Sequence, residues 1–209
     1  MSGFSYDGPI MSVLSKIVDL LILNVLILVF SIPLFTIGTA LTAAHFTALK
    51  IRRGEGYVWS CFWRSFKQNF KQSTCIWFVF VIYAIVVFVF YNIAAKMGGT
   101  MASILSVIIV GSLILVAFLY IWVIPLQARF INPIMGTFKN SYFMAFRYFI
   151  RTLFMALFNV LPIVTLYVCV ETTQLKGLGI WLMMGVSIPV YLCVMMYDKI
   201  FEKLEETVE

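Results

Sequence analysis

The chain has 209 residues, of which 63% are hydrophobic and 11% charged, with a formal net charge of +6. An ordinary soluble domain is about half apolar and about one quarter charged, so a soluble fold of this length could not hide so much apolar surface behind a polar exterior. This excludes a water-soluble globular class and points to a polytopic membrane protein, in keeping with the mean hydropathy of +1.02.

Taken in chain order, the first apolar run begins near Ile17. It lies too far in and lacks the small-residue cleavage site of a secretory signal, so no removed signal peptide is expected. A helix needs about 20 apolar residues to cross the hydrocarbon core. Five segments qualify: 17–37, 74–95, 101–124, 152–170 and 178–197. They are too long for barrel strands and lack strict alternation, so they read as helices. The expected fold class is all-α, a polytopic membrane helix bundle forming one domain over 1–209. It has five transmembrane helices and two amphipathic interfacial helices, at about 57–72 and 134–149.

Within the first span, Asp19 is one turn from Lys16 and is expected to pair with it. Asn24, Asn92 and Asn159 fall inside spans, where interhelical hydrogen bonds are the expected role. Residues 38–49, "GTALTAAHFTAL", have another texture: Ala40, Ala44 and Ala48 recur every four residues and form a small-residue ridge suited to close helix packing. This helix is expected to return toward the protein core. His45 within it reads first as a hydrogen-bonded packing residue and second as a ligand or proton relay.

"RRGEG" at 52–56 then reads as a flexible break, with two glycines flanking Glu55. The helix expected at 57–72 carries Trp59, Phe62, Trp63, Phe66 and Phe70 at spacings of three and four. Ser60, Arg64, Lys67 and Lys71 lie opposite. Aromatics on one face and cations on the other suit the headgroup boundary or a protein partner. The link at 134–149 resembles a weaker copy, with Met135, Phe138, Tyr142, Phe146 and Phe149 as its apolar stripe and Lys139, Arg147 and Arg151 on another side. "RSFKQNF" (64–70) and "GTFKNSY" (136–142) are alike, and each long link follows a Pro-Leu pair. An internal duplication and coincidence both account for this. Trp59, Phe62, Trp63, Arg64, Phe66, Lys67, Phe70, Lys71, Phe138 and Lys139 are the candidate interface residues.

Pro162 and Pro189 are expected to kink the last two spans, with an unwound substrate site as the sharper alternative. Glu171 is expected to face outside water. Five of the nine acidic residues, including Asp198, Glu202 and Glu205, lie in the last twelve positions and read as a solvated helix face. One histidine and four cysteines without a C-x-x-C pair give little basis for a metal or redox site. No phosphate-binding loop, nucleophile elbow or zinc-binding H-E-x-x-H occurs, so no enzyme activity and no cofactor are expected.

With five spans, the links on alternate sides hold twelve and three of the basic residues. The positive-inside rule places the larger set in the cytoplasm, with the N-terminus outside and the C-terminus inside. The expected partners are the lipid bilayer and other membrane proteins, not nucleic acid, because the cations sit between apolar runs.

The block "IPLFTIGTALTAAHFTALKIRRGEGYVWSCFWRSFKQNFKQSTCIW" (32–77) resembles the YesL-like family of bacterial integral membrane proteins. The resemblance rests on the order Pro33-Leu34, Thr36, Gly38, Thr42, Glu55-Gly56-Tyr57, Phe66-Lys67 and Asn69-Phe70. The segment "PLQARFINPIMGTFKNSYFMAFRYFIRTL" (125–153) extends it. The family's function is uncharacterised and it supplies no catalytic residues. What the resemblance implies is a bacterial cytoplasmic-membrane protein encoded beside binding-protein-dependent importers and enzymes for complex carbohydrates. Hence the expected function is that of an accessory protein of ABC-type carbohydrate uptake, with importer permease subunits or a second copy of itself as partners. The alternatives are a small oligomeric permease and a structural or lipid-organising protein.

Overall fold

The computed structural model describes residues 9–173 and 178–208, and no strand occurs among them. The elements are α1 (Pro9–Ser31), a 3-10 turn (Leu34–Thr36), α2 (Ile37–Arg53), α3 (Val58–Met97), α4 (Gly99–Arg129), α5 (Ile134–Arg147), α6 (Phe149–Thr173), α7 (Leu178–Met184) and α8 (Ser187–Val208). Asp7, Lys176 and Glu209, used above in counting charges, lie outside the described residues.

This is an all-helical, multi-pass membrane protein. Among the described residues six stretches are long and apolar enough to cross a bilayer, against the five expected. The additional one is Leu34–Arg53. Its Ala, Thr and Gly residues make it only weakly apolar, which hides it from a hydropathy reading. It is also the most enclosed: 67% of its apolar window is buried inside the protein, against 39% or less for the others.

Proline separates α1 from α2. Pro33 has no N–H to donate and biases Ile32 away from helical geometry. The Thr36 hydroxyl lies 2.6 Å from the carbonyl oxygens of Phe30 and Pro33 and so covers the open end of α1. At the other end of α2, Gly54 adopts φ +69°. Its N–H donates to the Ile51 carbonyl and the Glu55 N–H to the Lys50 carbonyl, the paired bonds of a Schellman stop. The expected flexible break is therefore an ordered cap, closed further by an ion pair between Lys50 and Glu55.

From Tyr57 to Met97 there is neither glycine nor proline. The interfacial helix expected at 57–72 and the span expected at 74–95 are accordingly one helix, α3, of 40 residues. At about 1.5 Å per residue it is about 60 Å long, twice the roughly 30 Å hydrocarbon thickness. Its second half runs antiparallel to α4, with the Tyr83 and Ser112 hydroxyls 2.9 Å apart and Phe80 edge-on to Tyr120. Its first half packs on α2: Thr39 bonds Thr74 at 3.0 Å, and Ser73 donates to Thr42 at 3.1 Å. Trp77 donates its indole N–H to the Leu34 carbonyl. Thus α2 lies along the cation-bearing half of α3, not along its apolar half.

The second amphipathic segment behaves differently. α5 ends at Arg147, and α6 starts after the single residue Tyr148. The two similar segments therefore join their spans in unlike ways. The last expected span, 178–197, is likewise divided into α7 and α8. Pro189 sits in the first turn of α8, where its missing N–H costs nothing, and not at a mid-span kink. Pro162 lies within α6, which continues through it.

The core gathers around α2. Ala40, Ala43, Ala44 and Ala48 are all fully buried, so the predicted alanine ridge is the contact surface. Gly38 marks the closest approach: a Cβ added there would lie 2.6 Å from the Trp77 Cβ and 2.9 Å from the Ser73 carbonyl oxygen. Gly38→Ala is expected to cost about 1–3 kcal/mol through overpacking. Gly111 has nothing within 4 Å of its added Cβ, so Gly111→Ala should be neutral or gain up to about 1 kcal/mol of helix propensity. Thermal unfolding of the two variants in detergent separates these outcomes; equal midpoints would contradict the close approach.

Candidate functional site

The C-terminal ends of α2 and α4 and the second half of α8 converge at one end of the bundle and build a charge cluster. Asp198, Glu202 and Glu205 recur at i, i+4 and i+7 and so share one face of α8. That face meets Arg52 and Arg53, which end α2, and Arg129, which ends α4. Asp198 receives Arg52 Nε at 2.9 Å, Arg53 Nη2 at 3.0 Å and Arg129 Nη1 at 3.1 Å. Arg53 also reaches Glu202 at 3.0 Å, and Arg129 Nε reaches Glu205 at 2.7 Å. Cations at the C-terminal ends of α2 and α4 are further favoured by the helix dipoles.

This corrects the expectation of a solvated acidic face at Asp198, while Glu202, Glu205 and Glu206 are exposed as expected. Asp198 is 3% exposed and is the shared acceptor of three guanidinium groups. Of the three carboxylates in the cluster, Glu202 and Glu205 keep substantial contact with solvent. Three arginines and three carboxylates balance, so the cluster is electrically neutral. Beside it, His45 Nδ1 lies 3.2 Å from the Tyr197 hydroxyl, with both residues buried. His45 thus fills the packing role read first from the sequence.

The remaining polar side chains of this end tie the helices together. Gln127 is buried, with its Nε2 3.4 Å from the Asn69 Oδ1 and its Oε1 3.4 Å from the Thr137 hydroxyl, linking α4 to α3 and α5. Asn159 bonds the Met155 carbonyl at 2.8 Å and reaches the Cys193 sulfur at 3.5 Å. Asn92 differs from expectation: its amide donates to Phe88 of its own helix. Lys16 and Asp19 are not among the ion pairs of the described residues, and Glu171 is exposed near the end of α6.

The candidate residues of α3 do come together. Phe30 of α1 stands among the rings of Trp59, Phe62, Trp63 and Phe66 at centroid distances of 5.0–6.4 Å. Their burial is uneven. Phe62 and Phe66 are buried, whereas Trp59, Trp63 and Phe70 are exposed. The buried face also carries Ser65 and Ser73. Lys67 lies 4.7 Å over the Trp63 ring and Arg64 is 5.6 Å from the Phe46 ring, while Lys71 is exposed.

Phe138 and Lys139 belong to a separate patch on α5. Phe138 rests against Phe80 of α3, and Lys139 is exposed. The apolar stripe of α5 faces outward at Met135, Tyr142 and Phe146, while Thr137, Ser141, Met144 and Ala145 form the buried side. Outside the spans, Lys50 beside Glu55 holds that carboxyl below its usual range. Among the described residues no group of three or more His, Cys, Asp or Glu side chains is placed to hold a metal ion.

A search of the curated proteins finds no match, and neither does a search of the solved structures. Residues 20–93, which run from α1 to near the end of α3 and contain the aromatic and cationic stripe, are similar to the family described as "Protein of unknown function, DUF624".

Proposed function

We propose that this protein is a non-enzymatic accessory component of ABC-type uptake of complex carbohydrates in the bacterial cytoplasmic membrane. The basic end of the bundle lies in the cytoplasm and contacts the importer's permease subunits. The carbohydrate assignment rests on the resemblance to the YesL-like family; the contact surface rests on geometry. The carrying observation is how charge is spent at this end. Glu55, Asp198, Glu202 and Glu205 are committed to Lys50, Arg52, Arg53 and Arg129. Arg64, Lys67 and Lys71 have no carboxylate partner among the described residues and stand beside exposed Trp59 and Trp63. Exposed aromatics next to unneutralised cations are the composition of a binding surface, the rings supplying most of the affinity and the charges guiding encounter.

Buried polar groups support an accessory over a conduit. Asn24, Thr39, Thr42, Thr47 and Gln127 all have internal partners, which leaves few groups to line an aqueous path.

Replacing Arg64, Lys67 and Lys71 together with glutamine keeps helix propensity and leaves Lys50, Arg52 and Arg53 to hold orientation. The triple variant is expected to insert at normal levels. Recovery of importer permease subunits by affinity purification from native membranes should fall about tenfold. Normal recovery together with normal growth on complex carbohydrates would overturn the proposal.

A further inference from the structure

A groove of about 1060 Å³ opens between the end of α4, the outer face of α5 and the last turns of α8. It is roomier than the roughly 300–1,000 Å³ of an ordinary small-molecule site. Phe130, Phe143 and Phe146 form much of its wall, and Phe143 and Phe146 are largely exposed. Asn140 and Arg147, seven residues apart on one face of α5, supply polar groups along it. The carboxylate in its lining, Glu205, is already held by Arg129 through two contacts.

The groove's free charge is therefore positive. Arg147 has no carboxylate partner among the described residues; its guanidinium lies 5.9 Å from the Tyr148 ring, and that of Arg151 lies 5.8 Å from the same ring. Arg151 is not in the groove lining and donates to the Met196 carbonyl at 3.3 Å, so Arg147 is the groove's own cation and leaves it complementary to an anion. Beyond Tyr148 the exposed surface becomes mainly apolar, at Phe149, Ile150, Leu153 and Phe154 on α6, with Arg151 among them, and α6 is long and apolar enough to cross a bilayer. The site thus offers a cationic, hydrogen-bonding region at the edge of the bilayer and a continuous apolar track leading into it. A free anion would leave the aromatic wall bare to water.

We propose that the α4–α5–α8 groove binds one anionic phospholipid, its phosphate held by Arg147 and Asn140 and its acyl chains lying along Phe143, Phe146 and the outer face of α6. Cations near an anionic leaflet are attracted to it without any built site. The groove adds a fixed donor geometry and a place for the chains, so it distinguishes one lipid molecule from the general leaflet charge.

The test uses the full-length protein in detergent, titrated with phosphatidylglycerol or with phosphatidylcholine of identical acyl chains and read by native mass spectrometry. One phosphatidylglycerol should bind about tenfold more tightly than phosphatidylcholine, the scale of a charge-assisted hydrogen-bond pair. Arg147→Gln should remove most of that preference, while Lys96→Gln, at the far end of α3, should keep it. Photoreactive phosphatidylglycerol on the wild-type protein gives a readout independent of the variant's folding, and should label residues 140–147 and 204–205. Equal binding of the two lipids, a preference that survives Arg147→Gln, or labelling elsewhere would each overturn the proposal. So would full competition by glycerol phosphate, which would make the site one for free anions. Capture of a protein by a photoreactive residue at 143 in native membranes, with no lipid captured, would instead assign the groove to a partner helix.

Discussion

Asp198→Asn is expected to lower the stability of the folded bundle by about 3 kcal/mol. Removing one partner of a buried ion pair typically costs about 3–5 kcal/mol, because the other charge is left buried and uncompensated. Here Arg129 is the charge at issue: its side chain is 8% exposed, against 25% and 29% for Arg52 and Arg53. Arg129 keeps Glu205 and Arg53 keeps Glu202, which places the loss at the lower end of the range. Glu202→Gln removes a partner that is itself largely exposed and should cost under about 1 kcal/mol. Unfolding in mixed micelles at several denaturant ratios measures both. Adding Arg129→Gln to Asp198→Asn should recover part of the loss, giving a coupling energy that strictly additive losses would refute.

The second large effect lies in the membrane. Asn24 is fully buried in α1, and its amide satisfies three backbone groups where α7 gives way to α8. It donates to the Leu182 carbonyl at 2.7 Å and accepts the N–H groups of Val186 and Ser187 at 2.9 and 2.8 Å. The first N–H groups of a helix have no intrahelical partner and, away from water, must be capped. Asn24→Leu fills the volume but orphans all three groups, each worth about 1–3 kcal/mol when buried. A total loss of about 3 kcal/mol is expected after local relaxation. Asn92→Leu, which removes a bond confined to one exposed helix, should change stability by less than about 1 kcal/mol. Unfolding midpoints of the two variants in the same detergent decide the matter; similar values would mean that the α7–α8 break does not depend on its cap.

Much of the architecture is legible in the sequence because lipid imposes a coarse and demanding pattern. The alanine ridge of α2 is visible as a period of four, and the aromatic side of α3 as a period near 3.6. The continuity of α3 is not visible. At residues 73–74 the surroundings of the chain change from basic to apolar, and hydropathy records the change of solvent. The backbone sees only residues compatible with a helix and continues. The charge cluster escapes for a different reason. The spacing of Asp198, Glu202 and Glu205 shows a shared face, but the arginines that bury Asp198 lie 69, 145 and 146 positions away in sequence. Long-range partners leave no local trace, so a terminal run of acids reads as solvated. The burial of Ser65 and Ser73 is not legible either: on a surface built of alanine, threonine and glycine, small polar residues pack as well as apolar ones.

The length of α3 also has a mechanical consequence. The helix contains no glycine or proline, yet glycines at positive φ bound it at both ends, Gly54 and Gly56 before it and Gly98 and Gly99 after. It is a stiff strut, preceded by the ordered cap at Gly54 and Glu55 and followed by the turn at Gly98 and Gly99. Over about 60 Å, a tilt of about 5° carries the far end roughly 5 Å. A restraint on the strut at Trp59 and Arg64 would therefore also bear on Lys96 at its other end, with the helix itself as the link.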